Sequence, residues 1–482
     1  MQISSFRISC RVGAVRRLTD PGFPLLINIS FGVYRVNTVA LREKNFPLTA
    51  ALKNDIIEEI RLSVMKGSFS MIYNTIFSPA HILLPKAETA ADWQKWAVIA
   101  CDQFTSQMDY WDDCVSLIGG GKSAYDYILP EAYLNTEKEA AHGAEIARNM
   151  AAFDPASMNT FDGIVYLERT LPDGSVRHGM VGKIDLEAYS YAKDSHSPIR
   201  ATEATILERI PPRQKIRAAA AIELPHILVL ISDRPEDGIF ASLDAAKGDL
   251  PVLYDFDLML DGGHVCGYGV NGDALSALME RLAAYEEKNA GGVVYAMGDG
   301  NHSLASAKAH YEALKAEMGD AAKDHPARYA LCEITALEDE SLVFEPIYRI
   351  IMDCDAADVA AELEKVTAPG AGEQTVTVCI GGKEEVRHFT AMTHALTVGT
   401  LQDFVDGYVK THDGTVCDYI HGEADLRDLA KEAGRVGFVF DSLAKADLFA
   451  YVDKYGTTPR KTFSMGEARS KRYYLEAREI VR

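Results

Sequence analysis

The chain has 482 residues, 48% of them apolar and 25% charged, which is the composition of a globular protein with room for two or three domains. Its formal net charge is −21, which argues against binding to nucleic acid or to an anionic membrane, because both need a basic surface. No run approaches the roughly 18 apolar residues that cross a membrane. These features predict a cytoplasmic protein of bacterial type.

The eight cysteines form no C-x-x-C pair and are spread over apparent strands and helices. This spacing favours reduced thiols over a disulfide framework or a zinc site. The sequence carries no signal of the oligomeric state.

The first 70 residues differ from the rest, because they carry ten Lys or Arg against five Asp or Glu. Their net charge of +5 leaves −26 for the remainder. They lack the hydrophobic core and small-residue cleavage site of a signal peptide. Residues 1–76 are therefore interpreted as a poorly ordered extension or as a mispredicted start with the true initiator at Met71. The second interpretation is preferred, since an acidic, well-patterned protein begins directly after Met71.

Strand and helix patterns alternate through the remainder. Turn chemistry predicts hairpins over 163–184 and 253–270, and apolar spacing predicts a helix over 136–152. These patterns predict a mixed α/β (α+β) fold, divided into an N-terminal α/β region at 77–325 and a C-terminal α+β region at 326–482.

A polar run follows a predicted strand at residues 100–107. It offers hydrogen-bonding groups at a strand end, where α/β proteins tend to place ligands. The candidate substrate contacts in this run are Asp102, Gln103, Thr105 and Ser106. The alternative is a loop whose polar residues cap the next helix.

Residues 199–217 gather positive charge within an otherwise acidic chain. A local cationic cluster of this kind suits an anionic small ligand such as a phosphate group, which arginine can hold with two parallel hydrogen bonds. The cations are Arg200, Arg209, Arg213, Lys215 and Arg217. Glu203 lies among them as a general base or as an ion-pair partner. The alternative for the whole segment is a solvated charged surface.

Residues 291–308 predict a short buried strand, a glycine turn and a helix. Gly298 and Gly300 allow backbone conformations closed to other residues. The residues suited to cap the helix are Asp299, Asn301 and Ser303. Free N–H groups at the helix start suit an anion, and Asp299 and His302 would lie beside it. The alternative is an ordinary strand-to-helix turn with a good cap.

The C-terminal region contains two further features. Residues 344–349 predict an edge strand, because Pro346 cannot donate to a ladder. Residues 459–474 are basic, and Arg460, Lys461 and Thr462 suit a phosphate group. The alternative for this second feature is a basic tail.

Three candidate anion contacts therefore lie far apart in sequence, at 199–217, 298–303 and 459–464. If they converge, they would bind a phosphorylated small molecule or a nucleotide, with Glu203, Asp299 and His302 available for proton transfer. Asp299 is also the candidate Mg²⁺ ligand, since acidic residues near phosphates hold this ion. Walker, Rossmann and H-E-x-x-H motifs are absent from the sequence.

Six segments together resemble the bacterial family called domain of unknown function 1015, over roughly residues 77–480. These segments are 82–85, 96–106, 210–213, 297–303, 344–347 and 460–467. The family name carries no activity.

A more distant similarity is to the ParB/sulfiredoxin-like superfamily, which includes free-serine kinases. Those kinases have an Asp-Gly-x-His stretch that meets phosphate at a helix start, matched here by 299–302, and an upstream glutamate base, matched by Glu203. The sequence departs from them at Ser303, where arginine is expected, unless Arg213 or Lys461 supplies that charge. The resemblance implies a ParB/sulfiredoxin-like core and a phosphotransferase that uses ATP or ADP with Mg²⁺ on a small hydroxyl compound such as free serine. The alternatives are a non-catalytic nucleotide- or phosphate-binding regulatory module and a structural protein.

Overall fold

The structure is a computed structural model that describes residues 75–192 and 195–481, together with the backbone of four strands before residue 41. The chain divides into two compact units, 1–74 and 75–482. The strands of the first unit form one antiparallel sheet: β1 (Arg7–Cys10), β2 (Leu26–Phe31), β3 (Tyr34–Arg35) and β4 (Val39–Ala40). Most residues of the predicted extension lie outside the described part, so that interpretation stays a prediction.

The second unit mixes helices with parallel and antiparallel strands, so the predicted mixed α/β class is confirmed. The helices described in it are α1 (Ala90–Trp96), α2 (Met108–Ile118), α3 (Glu137–Ala151), α4 (Ile210–Ala218), α5 (Ile239–Ala246), α6 (Gly272–Lys288), α7 (Asn301–Met318), α8 (Ala356–Glu364), α9 (Thr397–Thr411), α10 (Glu423–Leu429) and α11 (Leu448–Tyr455). No helix within the described ranges combines the length and the apolarity needed to cross a membrane.

An eleven-stranded sheet forms the larger layer of this unit. Its strands are β5 (Phe77–Ser78), β6 (Ala80–Pro85), β8 (Met158–Thr170), β9 (Val176–Asp185), β10 (Tyr189–Ser190), β11 (Ile199–Arg200), β13 (Leu228–Ile231), β14 (Val252–Asp257), β15 (His264–Val270), β16 (Tyr295–Asp299) and β17 (Tyr329–Ala336). The main path runs β10-β11-β16-β13-β17-β9-β8-β15-β14, while β5 pairs with β9 and β6 pairs with β8.

Both predicted hairpins lie in this sheet. Strands β8 and β9 pair in antiparallel register around the turn at 171–174, and β14 pairs with β15 in the same way. The amide of Gly174 donates to the carbonyl of Leu171, which closes the first turn. The hairpin predictions are confirmed, because turn residues act locally and need no distant partner.

A seven-stranded sheet forms the second layer. Its strands are β18 (Phe344–Met352), β19 (Thr367–Pro369), β20 (Thr375–Ile380), β21 (Lys383–Phe389), β22 (Val416–His421), β23 (Val436–Val439) and β24 (Phe463–Met465). The prediction of an edge strand is wrong for the second half of β18, because residues 349–351 pair with both β22 and β23, whereas residues 344–346 pair with β24 alone among the described strands. Pro346 is accommodated in the short pairing with β24, opposite Phe463.

Two short sheets anchor the C-terminal segment to the body of the unit. Strand β25 (Tyr473–Tyr474) pairs with β7 (Val98–Ile99), and β26 (Arg478–Glu479) pairs with β12 (Ile222–Glu223). Buried arginines reinforce this attachment. Arg169 donates to the carbonyls of 469–471, with Arg177 bound to the carbonyl of Ser470 at 2.9 Å.

The predicted boundary between residues 325 and 326 falls before the last strand of the large sheet. Strand β17 still belongs to that sheet, and β18 is the first strand of the second one. The division into two regions stays a prediction. The cysteines of the described part are free thiols: Cys101, Cys114, Cys266, Cys332, Cys354, Cys379 and Cys417.

Candidate functional site

A cavity of about 840 Å³ lies between the large sheet and the second sheet. The three distant segments singled out in the sequence all reach its wall. Their lining residues are Thr202, Glu203 and Arg209 from the first, Gly298, Asp299 and Asn301 from the second, and Lys461, Phe463 and Ser464 from the third. Thr202 and Ser464 are more than 260 residues apart in the sequence, and the structure brings both to the same cavity.

Strand β16 and helix α7 present the glycine turn at the cavity. Gly300 is the N-cap of α7, with a left-handed φ of 76° that favours glycine. A Cβ on Gly298 would lie 3.1 Å from the carbonyl oxygen of Leu228, so the paired strand limits the size of this residue. None of the three predicted capping side chains caps the helix. Asp299 accepts from the amide of Gly300 at 2.8 Å, Ser303 bonds to His226, and Oδ1 of Asn301 has no hydrogen-bond partner.

Glu203 reaches the cavity because its segment runs parallel to β16. Arg200 is paired with Ala296, and the hydroxyl of Thr202 donates to the carbonyl of Met297 at 2.8 Å, which holds the residue before Glu203 against β16. The segment is held on its other side by a parallel bridge to Thr458. Burial raises the pKa of Glu203, and Asp299 adds to the increase. The nearby cations Lys461 and Lys471 reduce it without cancelling it.

Two lysines bring positive charge to the same wall. Lys471 lies 3.3 Å from a carboxylate oxygen of Asp299 and donates to the carbonyl of Met465 at 3.0 Å. Lys461 is exposed, and its carbonyl accepts a 2.8 Å hydrogen bond from the fully buried Arg349. Arg349 thus fixes the backbone that presents Lys461 to the cavity.

Carboxylates outnumber cations around the cavity. The acidic lining residues are Asp102, Glu131, Glu203, Asp299, Glu345, Glu423, Asp425 and Glu467. The lysines and arginines of the lining are Arg209, Lys461 and Lys471. The wall is therefore negative overall, and a phosphorylated ligand would be repelled unless it carried its own cations.

A histidine that the sequence analysis missed joins the polar run to the helix start. His226 bonds through Nε2 to the hydroxyl of Ser303 at 3.1 Å and through Nδ1 to the hydroxyl of Tyr474 at 2.7 Å. Its Nε2 lies 3.8 Å from Asp102. Burial pushes the pKa of Asp102 upward, but His226 and a hydrogen bond from Gln103 outweigh it, so the pKa lies below its ordinary value.

His302 does not line the cavity. Its Nε2 accepts the amide of Ile206 at 3.2 Å, so this atom is not free to take a proton from a ligand. Burial lowers the pKa of His302, and Arg213 and Arg209 lower it further. His302 therefore holds the segment that follows Glu203.

Several other predicted contacts lie outside the lining, and four of them have partners of their own. Arg200 pairs with Asp453 at 2.9 Å, Arg213 pairs with Glu131, Arg460 pairs with Asp406, and Thr462 bonds to the carbonyl of Pro459. The others outside the lining are Gly300 and Ser303 of the turn and the exposed Thr105 and Ser106. Asp102 and Gln103 from the same polar run do line the cavity.

Sequence reasoning also missed three lining residues, Lys471, Glu423 and Asp425, and His226, which lies beside Asp102 but outside the lining. Lys471 lies in the basic segment already singled out, so its charge was a usable signal. His226 follows a proline at the start of a buried strand, and Glu423 and Asp425 begin helix α10. No local motif marks these three, because only tertiary packing brings Glu423 and Asp425 to the cavity and His226 to Asp102.

The fold and the cavity define a mixed α/β protein whose candidate site is built from distant segments. The chain belongs to the family described as protein of unknown function (DUF1015), whose family model matches residues 83–477. No curated protein matches the chain.

Three solved structures show the range of its structural likenesses. Free serine kinase in complex with AMP has 10% identity and a TM-score of 0.34, covering 61% of this chain and 90% of that chain. A conserved hypothetical protein from Pyrococcus furiosus has 10% identity and a TM-score of 0.32, covering 60% and 92%. C-terminally truncated SbnI from Staphylococcus aureus has 10% identity and a TM-score of 0.32, covering 59% and 82%. The superfamily and the activity implied by the sequence resemblance stay predictions.

Proposed function

We propose that the protein is a phosphotransferase that moves a phosphoryl group from ATP or ADP to the hydroxyl of a small molecule. The first acceptor to test is free serine, which the sequence resemblance implies. The observation that carries the proposal is the convergence on one cavity of Glu203, Asp299 and Lys461, three residues from distant segments.

Glu203 is the proposed general base. A carboxylate whose pKa is raised toward neutrality accepts a proton more readily than an ordinary glutamate. In the transfer step the acceptor oxygen attacks the terminal phosphorus as the bond between that phosphorus and the leaving nucleotide oxygen breaks. The hydroxyl proton passes to Glu203, and the nucleotide departs one phosphate shorter.

The turn at 298–303 and the lysines are the proposed phosphate contacts. Backbone N–H groups at the start of α7 and the ammonium groups of Lys461 and Lys471 suit phosphate oxygens. In this role Lys471 positions Asp299 as well, through their 3.3 Å contact.

The carboxylate-rich wall fits Mg²⁺, because this ion prefers oxygen ligands and binds through carboxylates and substrate phosphates. Asp299 is its proposed ligand. Mg²⁺ when bound would offset phosphate charge in the cavity. ATP or ADP is therefore expected to bind as its magnesium complex.

The experiment incubates the full chain with ATP or ADP, Mg²⁺ and free serine, and follows phosphoserine and nucleotide by ³¹P NMR and mass spectrometry. The Glu203→Gln variant is expected to lose about 10²–10⁴-fold in turnover, the usual contribution of a general base. Nucleotide binding should persist, since this substitution removes no phosphate contact.

The matched control is Glu208→Gln, which changes an exposed glutamate of the same segment that does not line the cavity. Its turnover should equal that of the parent. Full activity in Glu203→Gln would refute the assignment of the base. Nucleotide binding without turnover on a panel of hydroxyl compounds would instead support a regulatory module, and absence of binding would support a structural protein.

A further inference from the structure

A second cluster of ligand-type side chains lies outside the cavity, on the β8–β9 hairpin. Glu168 and His178 are direct cross-strand partners, so their side chains lie on the same face of the sheet. Asp244 reaches them from helix α5. One ligand atom from each residue lies within 4.8 Å of the other two.

We propose that Glu168, His178 and Asp244 form a binding site for a divalent transition-metal ion, with Zn²⁺ as the ion best matched to it. One imidazole nitrogen and two carboxylates are a donor set that zinc accepts, leaving a fourth position to water. None of the three residues lines the cavity, so the proposal stands apart from phosphoryl transfer.

Each proposed ligand is oriented by a hydrogen bond from a different neighbour. Asp339 lies 3.1 Å from Nδ1 of His178 and also accepts the amide of that residue at 3.0 Å. Because the carboxylate holds the Nδ1 proton, Nε2 of the neutral imidazole is left to bind a metal. This Nε2 lies 3.8 Å from Oε1 of Glu168.

The two carboxylates are held in the same manner. The hydroxyl of Tyr268 donates to Oε2 of Glu168 at 3.3 Å, and that of Tyr166 donates to Oδ1 of Asp244 at 3.2 Å. The opposite oxygen of Asp244 is left for a metal, while Oε1 of Glu168 accepts a hydrogen bond from Lys247 at 2.6 Å, which a metal would have to displace. Outer hydrogen bonds of this kind fix ligand orientation in metal sites, and here they come from sheet residues and a turn packed against them.

The charge of the cluster also fits a divalent cation. Glu168, Asp244 and Asp339 carry three negative charges, and Lys247 supplies one positive charge at 2.6 Å from Glu168 and 3.2 Å from Asp244. With His178 neutral, the cluster carries about −2, which one Zn²⁺ neutralises. The Lys247 ammonium competes with the metal for both carboxylates, and its side chain is exposed enough to swing away.

The three ligand atoms would have to move only slightly closer together to bind a zinc ion. A tetrahedral zinc ion with bonds of about 2.0 Å separates its ligands by roughly 3.3 Å. Asp244 is 53% exposed at its side chain and lies near the end of α5, so it can approach the sheet residues without moving the backbone of the hairpin.

The test is zinc binding by the full chain without an affinity tag, after removal of metals, measured by competition with a chromophoric chelator. The parent protein should take up one Zn²⁺ per chain at the cluster. His178→Ala should weaken that binding by at least about 100-fold, since losing even an outer contact costs 10–100-fold. His178→Asn keeps a donor near Asp339 and should weaken it similarly while preserving the fold, which circular dichroism checks.

The matched control is His264→Ala, because His264 also lies between two carboxylates, Asp255 and Asp257, each at 2.8 Å. This variant should bind zinc at the cluster as the parent does. Lys247→Ala should bind zinc more tightly, because it removes the competing ammonium. Zinc should also raise the melting temperature of the parent but not of His178→Asn, since the metal ties α5 to the hairpin.

The proposal is overturned if the parent takes up no zinc, or if His178→Asn binds as tightly as the parent. It is equally overturned if His264→Ala abolishes the binding or if Lys247→Ala weakens it. These outcomes are independent of phosphoserine formation, so failure here leaves the proposed function untouched.

Discussion

The rate of the proposed reaction should depend on pH through the protonation of Glu203. A base must be deprotonated to act, so activity should fall as the pH drops through the pKa of Glu203. Because burial and Asp299 raise that pKa, the acid limb of kcat/KM should lie above the ordinary glutamate range of about 4.3. The measurement is a pH–rate profile from pH 4 to 8, with a midpoint at or below 4.3 contradicting the prediction.

Substitution of Lys461 should shift the acid limb of the pH–rate profile. Its charge lowers the pKa of Glu203, so Lys461→Met should raise the pKa and shift the acid limb to higher pH. The same variant should weaken nucleotide binding about 3- to 30-fold, as expected for one lost charged contact worth about 0.7–2 kcal/mol. Lys454→Met, on a helix and away from the lining, is the control and should change neither quantity.

At the scale of single residues, the sequence predicted which residues line the cavity better than it predicted which residues pair with each other. The residues at the proposed base, metal and phosphate positions that line the cavity are Glu203, Gly298, Asp299, Asn301 and Lys461. The arginine cluster was interpreted from its charge alone, and two of its members are bound by acidic residues far along the chain, Asp453 and Glu131. Net charge in a segment does not reveal which cations are already paired, because pairing depends on the tertiary fold.

At the scale of elements, a buried ionic cluster ties the large sheet to the C-terminal segment. Glu333 on β17 is 1% exposed and pairs with Arg472, and its other oxygen lies 3.7 Å from Arg177. Glu333→Gln leaves the buried Arg177 without its counter-charge and removes one of the two carboxylates that pair with Arg472, the other being Glu476. The expected loss is about 3–5 kcal/mol in the free energy of unfolding, measured by urea denaturation. The control Asp428→Asn breaks an exposed helix pair and should cost at most about 1 kcal/mol.

The ion pairs of Glu333 with Arg472 and Arg177 predict that the stability of the protein depends on pH. Burial raises the pKa of Glu333, but Arg472 and Arg177 outweigh it, so the folded pKa lies below the unfolded one. Such a group contributes stability above the unfolded pKa of about 4.3, and loses it as the pH falls through the folded value. The difference in urea midpoint between the parent and Glu333→Gln should therefore be full at pH 6 and shrink below pH 4. An unchanged difference at pH 3 would contradict this assignment.

The turn before α7 makes a further prediction. Gly300 has a positive φ, and a Cβ there would lie 3.1 Å from Cα of Ile227. Gly300→Ala should therefore cost the roughly 1–2 kcal/mol of a left-handed residue and an added steric penalty. Gly238 is the control, since it is also a left-handed N-cap but its Cβ would meet nothing closer than 3.6 Å. Equal losses of stability in the two alanine variants would show that the close approach has no effect.

Secondary-structure elements were predicted correctly where their own residues determine them. They were predicted poorly where their place in a sheet depends on strands that are distant in sequence. The hairpins around 171–174 and 258–263 follow from turn residues, and both are present. The strand at 344–349 was placed at an edge on the strength of Pro346, yet from Arg349 onward it is interior because β22 and β23 pair on its two sides. Its first three residues pair with a short third strand, β24. Strand β24 lies over a hundred residues away in sequence, and no local pattern predicts that it pairs with β18.

For the whole molecule, the acidic balance should make nucleotide binding depend on divalent cations. The chain carries −21 overall, and the cavity adds a wall rich in carboxylates. ADP binding, measured by calorimetry with Mg²⁺ and with EDTA, should weaken at least tenfold when the metal is removed. Added monovalent salt should restore part of the affinity in EDTA, because it screens the repulsion. Equal affinity in both buffers would rule out this electrostatic account.

The late position of the C-terminal wall has a consequence for the protein during its synthesis. Lys461 and Lys471 complete the cavity, and Arg472 closes the ionic cluster with Glu333. A nascent chain whose residues from 458 onward still lie inside the ribosome therefore has the strands of the large sheet but neither lysine. In that chain Glu333 lacks Arg472, and Arg177 at 3.7 Å is the guanidinium group that remains beside it. The two lysines of the cavity and the buried pair of Arg472 with Glu333 are thus acquired together, after all strands of the large sheet have been synthesised.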